Sequence, residues 1–352
     1  MSLGTLDEDS DTGWEVQSGQ LTAGEWSDLE NWDFWRSLVD DSSQPWGEIE
    51  TGWGFETAHR VPVQLNWGQD RAVDVEVRLV DESDTVLWTA RTDNKGHAEL
   101  FAPSGADLLL RVEVDDGGFL VSEEDVSVGS QARIEIEVEE VESPQALLDL
   151  MFVIDTTGSM SDELTYLEAE LADVVQRVKA IGIDLRLSVN FYRDEGDAYE
   201  VRSFPFTRNI SQVQSQLSDQ SAGGGGDYPE ALAAALDDAV HNHRWSENAR
   251  ARLLFPLLDA PPHQTESNIA LLQEVTQQAA QDGIRILPIA ASGVDASTEF
   301  LLRSLDIMTG GTYIFLTDDS GLGNEHLAPT VGDYQVEFLN DLLERIIREA
   351  IL

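Results

Sequence analysis

The sequence predicts two folded units of different class: an all-β sandwich over residues 59–141 and, over residues 148–352, an α/β domain with a doubly wound, mostly parallel sheet. Three observations carry this. Between His59 and Val141 the apolar residues recur with period two, as in Val73, Val75, Val77 and Leu79. The stretches "TDNKG" (92–96) and "DDGG" (115–118) supply turn chemistry within that region. After residue 148, short apolar runs alternate with segments of helical periodicity, the pattern of a parallel sheet covered by helices.

In chain order, residues 1–20 are polar and acidic, with little to bury, and are expected to be disordered. Residues 21–58 form a Trp-rich segment. Ser27 and Glu30 have capping-box spacing, and Leu29, Trp32, Trp35, Leu38 and Val39 follow at helical intervals, which predicts a short amphipathic helix. Eight of the nine tryptophans lie within the first quarter of the chain. Exposed indoles would make an aromatic platform for a sugar or a protein, with Trp26, Trp32 and Trp35 as its candidates. The competing reading is that they pack the segment onto the unit that follows.

The alternation over 59–141, including Leu108 to Val114 and Ile134 to Val138, predicts about seven strands. The stretch "DVEVRLVDESDTVLWTARTDNKGHAELFAP" resembles the transthyretin-like, carboxypeptidase-regulatory type of sandwich. "EEVESPQ" (139–145) carries Pro144 and places a linker at 142–147. Beyond it, strands are expected over 148–154, 185–191, 253–258, 284–289 and 312–316. Leu164, Leu167, Leu171, Val174, Val175 and Val178 form the apolar face of one intervening helix, and an amphipathic helix closes the chain.

Composition narrows the chemistry. The 352 residues contain no cysteine, which removes disulfides, thiol catalysis and Cys-ligated zinc. No stretch has the roughly 20 apolar residues of a membrane-spanning helix, and the N-terminus lacks the basic start and apolar centre of a signal peptide. The protein is therefore expected either to be cytoplasmic or to be the processed part of an exported one. Asp and Glu number 67 against 21 Lys and Arg, a net charge of −46, dispersed along the whole chain. Dispersed acids with almost no lysine suit a surface working in molar salt, where the Debye length shrinks to about 3 Å. A polyphosphate would meet a strongly negative field, so nucleic acid is not an expected partner.

The functional signal lies where the first α/β strand ends, in "MFVIDTTGSM" (151–160). Ligands of doubly wound folds sit beyond the carboxyl ends of the strands, yet neither GxGxxG nor GxxxxGK[ST] occurs there. Asp155, Thr157 and Ser159 alternate along the turn instead, so one carboxylate and two hydroxyls converge. Asp227, after four glycines, and Asp259, ending another apolar strand, add carboxylates at equivalent strand ends. Oxygen ligands without imidazole or thiolate favour Mg²⁺, with Ca²⁺ or Mn²⁺ as alternatives. Asp227 is equally placed to cap a helix, with Glu230 in capping-box register; Ser159 and Ser161 could cap the next helix. Asp194 could be a turn acid paired with Arg193, and His263, after two prolines, reads as loop rather than ligand.

On these residues the second unit resembles a von Willebrand factor A domain, and Asp155, Thr157 and Ser159 match the first part of its metal-ion-dependent adhesion site, Asp-x-Ser-x-Ser. The resemblance puts Asp259 at the later strand-end aspartate and Asp227 where the family usually has threonine. "DTTGSM … GGGDYPEAL … LLDAPPH" is similar to a bacterial subgroup, and "LTAGEWSDLENWDFW" followed by a sandwich resembles envelope proteins of that subgroup. It implies a cation-dependent protein-binding, adhesion-like module in the cell envelope or outside the cell, its ion completed by an Asp or Glu carboxylate of a protein partner. The alternatives are a metal-dependent hydrolase, with Glu230, Asp194 or His263 as base, and carbohydrate binding by the Trp-rich N-terminal region.

Overall fold

The computed structural model describes residues 17–103, 110–116, 119–124, 126–129, 131–139, 143–226, 228–321 and 328–352. Its centre is the strand Gln145–Asp155, buried from Leu147 to its end. Asp184–Tyr192 pairs with it in parallel on one side and Ala249–Leu258 on the other. Ile284–Ile286 and Ile289–Ala290 extend the parallel sheet along Ala249–Leu258, followed by Tyr313–Thr317. The strand expected over 284–289 is therefore two short pieces. Pro288, which has no N–H to donate, lies at the break, and the Leu287 N–H still reaches Leu254 O at 2.8 Å.

Alternation along the central strand feeds two cores. Leu148, Leu150, Phe152 and Ile154 join the cluster under helices Leu164–Ala180 and Leu339–Ile351. Met151 and Val153 face the opposite way, towards Leu232–His241, Glu266–Gln281 and Ala296–Thr309. Helices on both faces of a mostly parallel sheet make this the doubly wound arrangement.

The Trp-rich segment differs from expectation. Its first element is a strand, Thr22–Trp26, antiparallel to Tyr313–Thr317, with Glu337–Phe338 beyond it. The N-terminal segment thus completes the α/β sheet. Sheet pairing wins because it sends Leu21 and Ala23 into one core and Trp26 into the other. Glu170, fully buried on helix Leu164–Ala180, accepts the N–H groups of Gly19 and Gln20 at 2.8 Å and Leu21 at 3.1 Å. The helix begins only at Trp32. Glu30 N–H donates to Ser27 Oγ at 3.3 Å, so the expected capping residues close the preceding turn.

The tryptophans are absorbed by packing. Trp35 stacks on Phe300 with centroids 5.4 Å apart and donates its indole N–H to Thr57 at 2.8 Å. Trp26 meets Phe34 edge-on and donates to Asp28, while Trp32 lies under the Arg60 guanidinium. All three are buried, which corrects the aromatic-platform expectation: rings spent on the core and on internal acceptors leave no face for a sugar.

Between the Trp-rich segment and the central strand, two four-stranded sheets are described. One orders Asp70–Arg71, Arg60–Trp67 and His97–Phe101, with Ile134–Glu137 parallel to Arg60–Trp67. The other orders Val86–Arg91, Glu76–Asp81, Leu110–Asp116 and Phe119–Glu123. Val63, Leu65, Leu79 and Val112 from the two sheets belong to the same buried cluster as Trp35 and Phe300, so one core runs from the small sheets into the α/β helices. The expected linker is correspondingly short, since strand pairing resumes at Gln145.

Candidate functional site

Asp155 ends the central strand with no exposure, and Tyr192 lies opposite it in register on the neighbouring strand. Its two carboxylate oxygens have unequal surroundings. Oδ1 accepts the Thr157 N–H at 2.8 Å and the Thr157 hydroxyl at 2.7 Å, while Oδ2 is buried without a hydrogen-bond partner. Ser159 Oγ lies 3.1 Å from Thr157 Oγ1. The backbone turns here into Gly158–Asp162 and then the helix, which aims residues 155, 157 and 159 towards one point. Ser161 is exposed and takes no part in these contacts.

The glycine run folds over this strand end. Gly158 N–H donates to Gly224 O at 3.2 Å and Gly223 N–H to Thr156 O at 3.0 Å. Two of the glycines are dictated by what surrounds them. At Gly224, with φ of +82°, a Cβ would fall 2.2 Å from Asp197 Oδ2; at Gly225, with φ of +67°, it would fall 2.9 Å from Glu230 Oε1 and 3.2 Å from Thr157 Cβ. The loop therefore wedges between Asp197, Thr157 and Glu230. Asp227 lies outside the described residues. Helix Leu232–His241 starts five positions after it, with Ala231 at the cap, so Glu230 is not in that helix's first turn and the capping-box register is not realised.

Glu230 is instead a member of the site. Its N–H donates to Pro261 O at 2.8 Å, which ties this loop to the one after Asp259, and its Oε2 is buried without a hydrogen-bond partner. Burial, then the charges of Asp155, Asp194 and Asp259, pushes its carboxyl up to about 9. Burial and the charge of Asp259 push Asp155 up to about 7 against its bonds from Thr157. Tyr192, fully buried beside these acids, is held well above the usual phenol range by desolvation and by Asp155. Asp259 follows the Ala249–Leu258 strand and is buried.

Asp194 pairs with His263 Nε2 at 2.7 Å, not with Arg193, which donates to Ser221 O and lies over the Tyr199 ring. Asp197, absent from the sequence expectation, accepts the N–H groups of Gly225 at 2.8 Å and Asp194 at 3.2 Å. Tyr192 was also missed, although it faces Asp155 in a register the two apolar runs could have suggested. The sequence places Glu230 as a capping partner, a base or a rim residue of the site, while its convergence depends on a return through Pro261 that no local pattern announces.

The donor chemistry fits a hard cation. The spacings of 2.7 and 3.1 Å from Thr157 Oγ1 to Asp155 Oδ1 and Ser159 Oγ are close to the roughly 3.0 Å edge of an octahedron with about 2.1 Å metal–oxygen bonds. An unpartnered buried carboxylate oxygen beside further acids is costly without a positive charge. Among the described residues no three His, Asp or Glu side chains are gathered tightly enough to hold an ion by themselves, so hydroxyls would have to complete any such set.

Residues 149–318 match the model of the von Willebrand factor A domain family, a protein-interaction or adhesion-type module that is usually not an enzyme. Over 122 residues the chain is 31% identical to an ariadne-like RING finger protein of Acanthamoeba polyphaga mimivirus, covering 34% of this chain and 12% of that protein. Over a stretch of the same length it is 29% identical to the alpha-protein kinase vwkA of Dictyostelium discoideum, covering 34% of this chain and 19% of the kinase. The chain thus spans less than a fifth of the length of either relative. A solved structure, an aerotolerance-related membrane protein from Bacteroides fragilis, superposes with a TM-score of 0.37 at 13% identity, over 58% of this chain and 98% of that one. Among the described residues no helix is long and apolar enough to cross a membrane.

Proposed function

We propose that this protein is a divalent-cation-dependent protein-binding module. Asp155, Thr157 and Ser159, with Asp259 from the next strand, would hold Mg²⁺, or alternatively Ca²⁺ or Mn²⁺, at the sheet's carboxyl edge. The observation that carries this is the Asp155 carboxylate: fully buried, one oxygen fixed by Thr157 and the other without a partner. The bound cation would supply Lewis-acid affinity for one further carboxylate. The chain's own residues set its orientation: Thr157 holds Asp155 Oδ1, and the glycine loop shapes the rim. A partner presenting Asp or Glu is the ligand this arrangement suits, because a short, partly desolvated contact to a cation survives salt that screens repulsion between two acidic proteins. Placement in the cell envelope belongs to the same reading. The matched family supports an interaction module in preference to a hydrolase.

The test is thermal denaturation at high salt with Mg²⁺, Mn²⁺ or Ca²⁺, on the wild type and Asp155→Ala. The wild type is expected to gain several degrees with at least one cation and the variant none. A wild type indifferent to all three, or a variant that shifts equally, ends the proposal. Partner capture that survives chelation would separately remove the metal from the binding step.

A further inference from the structure

Arg285 occupies the middle of Ile284–Ile286, opposite Leu253 on the neighbouring strand, while Ile284 and Ile286 on either side of it are fully buried. An arginine at such a place needs an acceptor. It lines a cavity of ≈ 770 Å³ that opens between this part of the sheet, the 92–96 turn and helix Leu339–Ile351. Asn94 Nδ2 donates to Glu349 O at 2.6 Å, joining turn to helix across the cavity wall. Five of the chain's 21 Lys and Arg residues line this one space, Arg91, Lys95, Arg133, Arg285 and Arg345, together with seven acids.

Three of them are matched inside the protein. Arg91 pairs with Asp74 at 2.7 Å, Arg133 with Glu99 at 2.8 Å, and Arg345 with Glu25 and Glu337 at 2.9 Å each. Lys95 is exposed. The Arg285 side chain has neither hydrogen bond nor ion pair among the described residues. The two acids whose charge reaches it, Asp93 and Asp74, are engaged elsewhere. Asp74 is shared by Arg91 and Arg252, and Asp93 Oδ1 accepts the N–H groups of Lys95 and His97, each at 2.8 Å. Burial lowers the Arg285 guanidinium from the ordinary arginine value, and the charge of Arg252 adds to this. In a chain with 67 acids, a half-buried arginine without a carboxylate of its own stands out.

We infer that this cavity binds a small oxyanion, a carboxylate or phosphate group, with the Arg285 guanidinium as its two-pronged anchor. The planar fork of arginine matches the paired oxygens of either group, and partial burial makes such a contact stronger than on the open surface. The site is remote in chemistry from the acidic strand-end cluster and does not depend on the cation reading.

The experiment titrates the full chain, at fixed ionic strength, with inorganic phosphate and separately with succinate, following thermal stability and heat of binding. Wild type is compared with Arg285→Gln, Arg285→Lys and the control Arg208→Gln, whose arginine makes an exposed pair with Asp184. Wild type and control are expected to show saturable stabilisation, about tenfold or more weaker in Arg285→Gln and intermediate in Arg285→Lys, which keeps the charge but loses the fork. Without anion, Arg285→Gln should melt no lower than wild type, because the unpaired charge is gone. A response to phosphate alone identifies a phosphoryl ligand, to succinate alone a carboxylate, and to both the shared chemistry. No saturable response to either probe, or an equal response in Arg285→Gln, means that the cavity holds only water and overturns the inference.

Discussion

At Asp155 and Glu230 a proton offsets the charge that the proposed cation would neutralise. Both carboxyls are raised, to about 7 and about 9, chiefly by burial and then by neighbouring acids. A carboxyl whose folded value lies above its unfolded one stabilises the fold fully below the unfolded value and loses that contribution as pH rises through the folded one. In chelator the melting temperature is therefore expected to fall between about pH 5 and 9. Asp155→Asn removes the first charge and should flatten the lower half of that decline; saturating cation should do the same for the wild type by replacing the proton. A chelated wild type whose stability rises across this range would contradict the electrostatic reading. The residues of this cluster were legible in the sequence in proportion to their closeness along the chain. Asp155, Thr157 and Ser159 stand in one turn, where alternation suffices. Glu230 and Asp197 reach them only because loops from separate strands fold back on a run of glycines, and spacing carries no trace of that.

Among the elements, the strand Thr22–Trp26 depends most on contacts made far away in sequence. Five residues with a glycine at the centre have little strand preference of their own. Gly24 lies opposite Phe315, and a Cβ there would come within 2.6 Å of the Phe315 ring. The glycine is thus the recess that lets the ring pack over this strand. The entry to the strand is fixed by Glu170, whose one buried carboxylate accepts three successive N–H groups. Glu170→Gln leaves a side-chain amide facing at least one backbone donor and is expected to cost about 1–3 kcal/mol. Hydrogen exchange should find the loss concentrated in 19–26 and its partner strand; uniform loss across the sheet would mean that the N-terminal strand is not separately pinned. Strands such as Gln145–Asp155 and Ala249–Leu258 were legible because both faces are buried and the chain is mostly apolar. Thr22–Trp26 was not, since a short strand without an apolar run of its own acquires its identity from Phe315 and Glu170. The helical spacing of the tryptophans beside it announced the helix Trp32–Asp40 and not the strand.

For the whole molecule the two electrostatic regimes respond oppositely to salt. The net charge of −46 repels itself across the surface, and that repulsion is screened as the Debye length falls from about 8 Å at 0.15 M to about 3 Å at 1 M. Inside, Arg303 is fully buried, donating to both oxygens of Asp28 at 2.7 Å and to Glu299 at 3.0 Å, with its guanidinium 4.9 and 5.0 Å from the rings of Trp35 and Trp46. That network joins the Trp-rich segment to helix Ala296–Thr309 and is shielded from mobile ions. Wild-type stability is accordingly expected to climb with KCl, most steeply below about 1 M, where the screening length changes most. Arg303→Met strands the Asp28 and Glu299 carboxylates and should cost about 3–5 kcal/mol. Because the network is buried, the loss should be nearly the same in low and high salt, so that denaturation midpoints of wild type and variant rise along parallel curves. Convergence of the two curves at high salt would show that ions reach Arg303 and that the segment is held by surface charge instead. Wild-type stability that is flat or falling with salt would show that self-repulsion does not limit this fold.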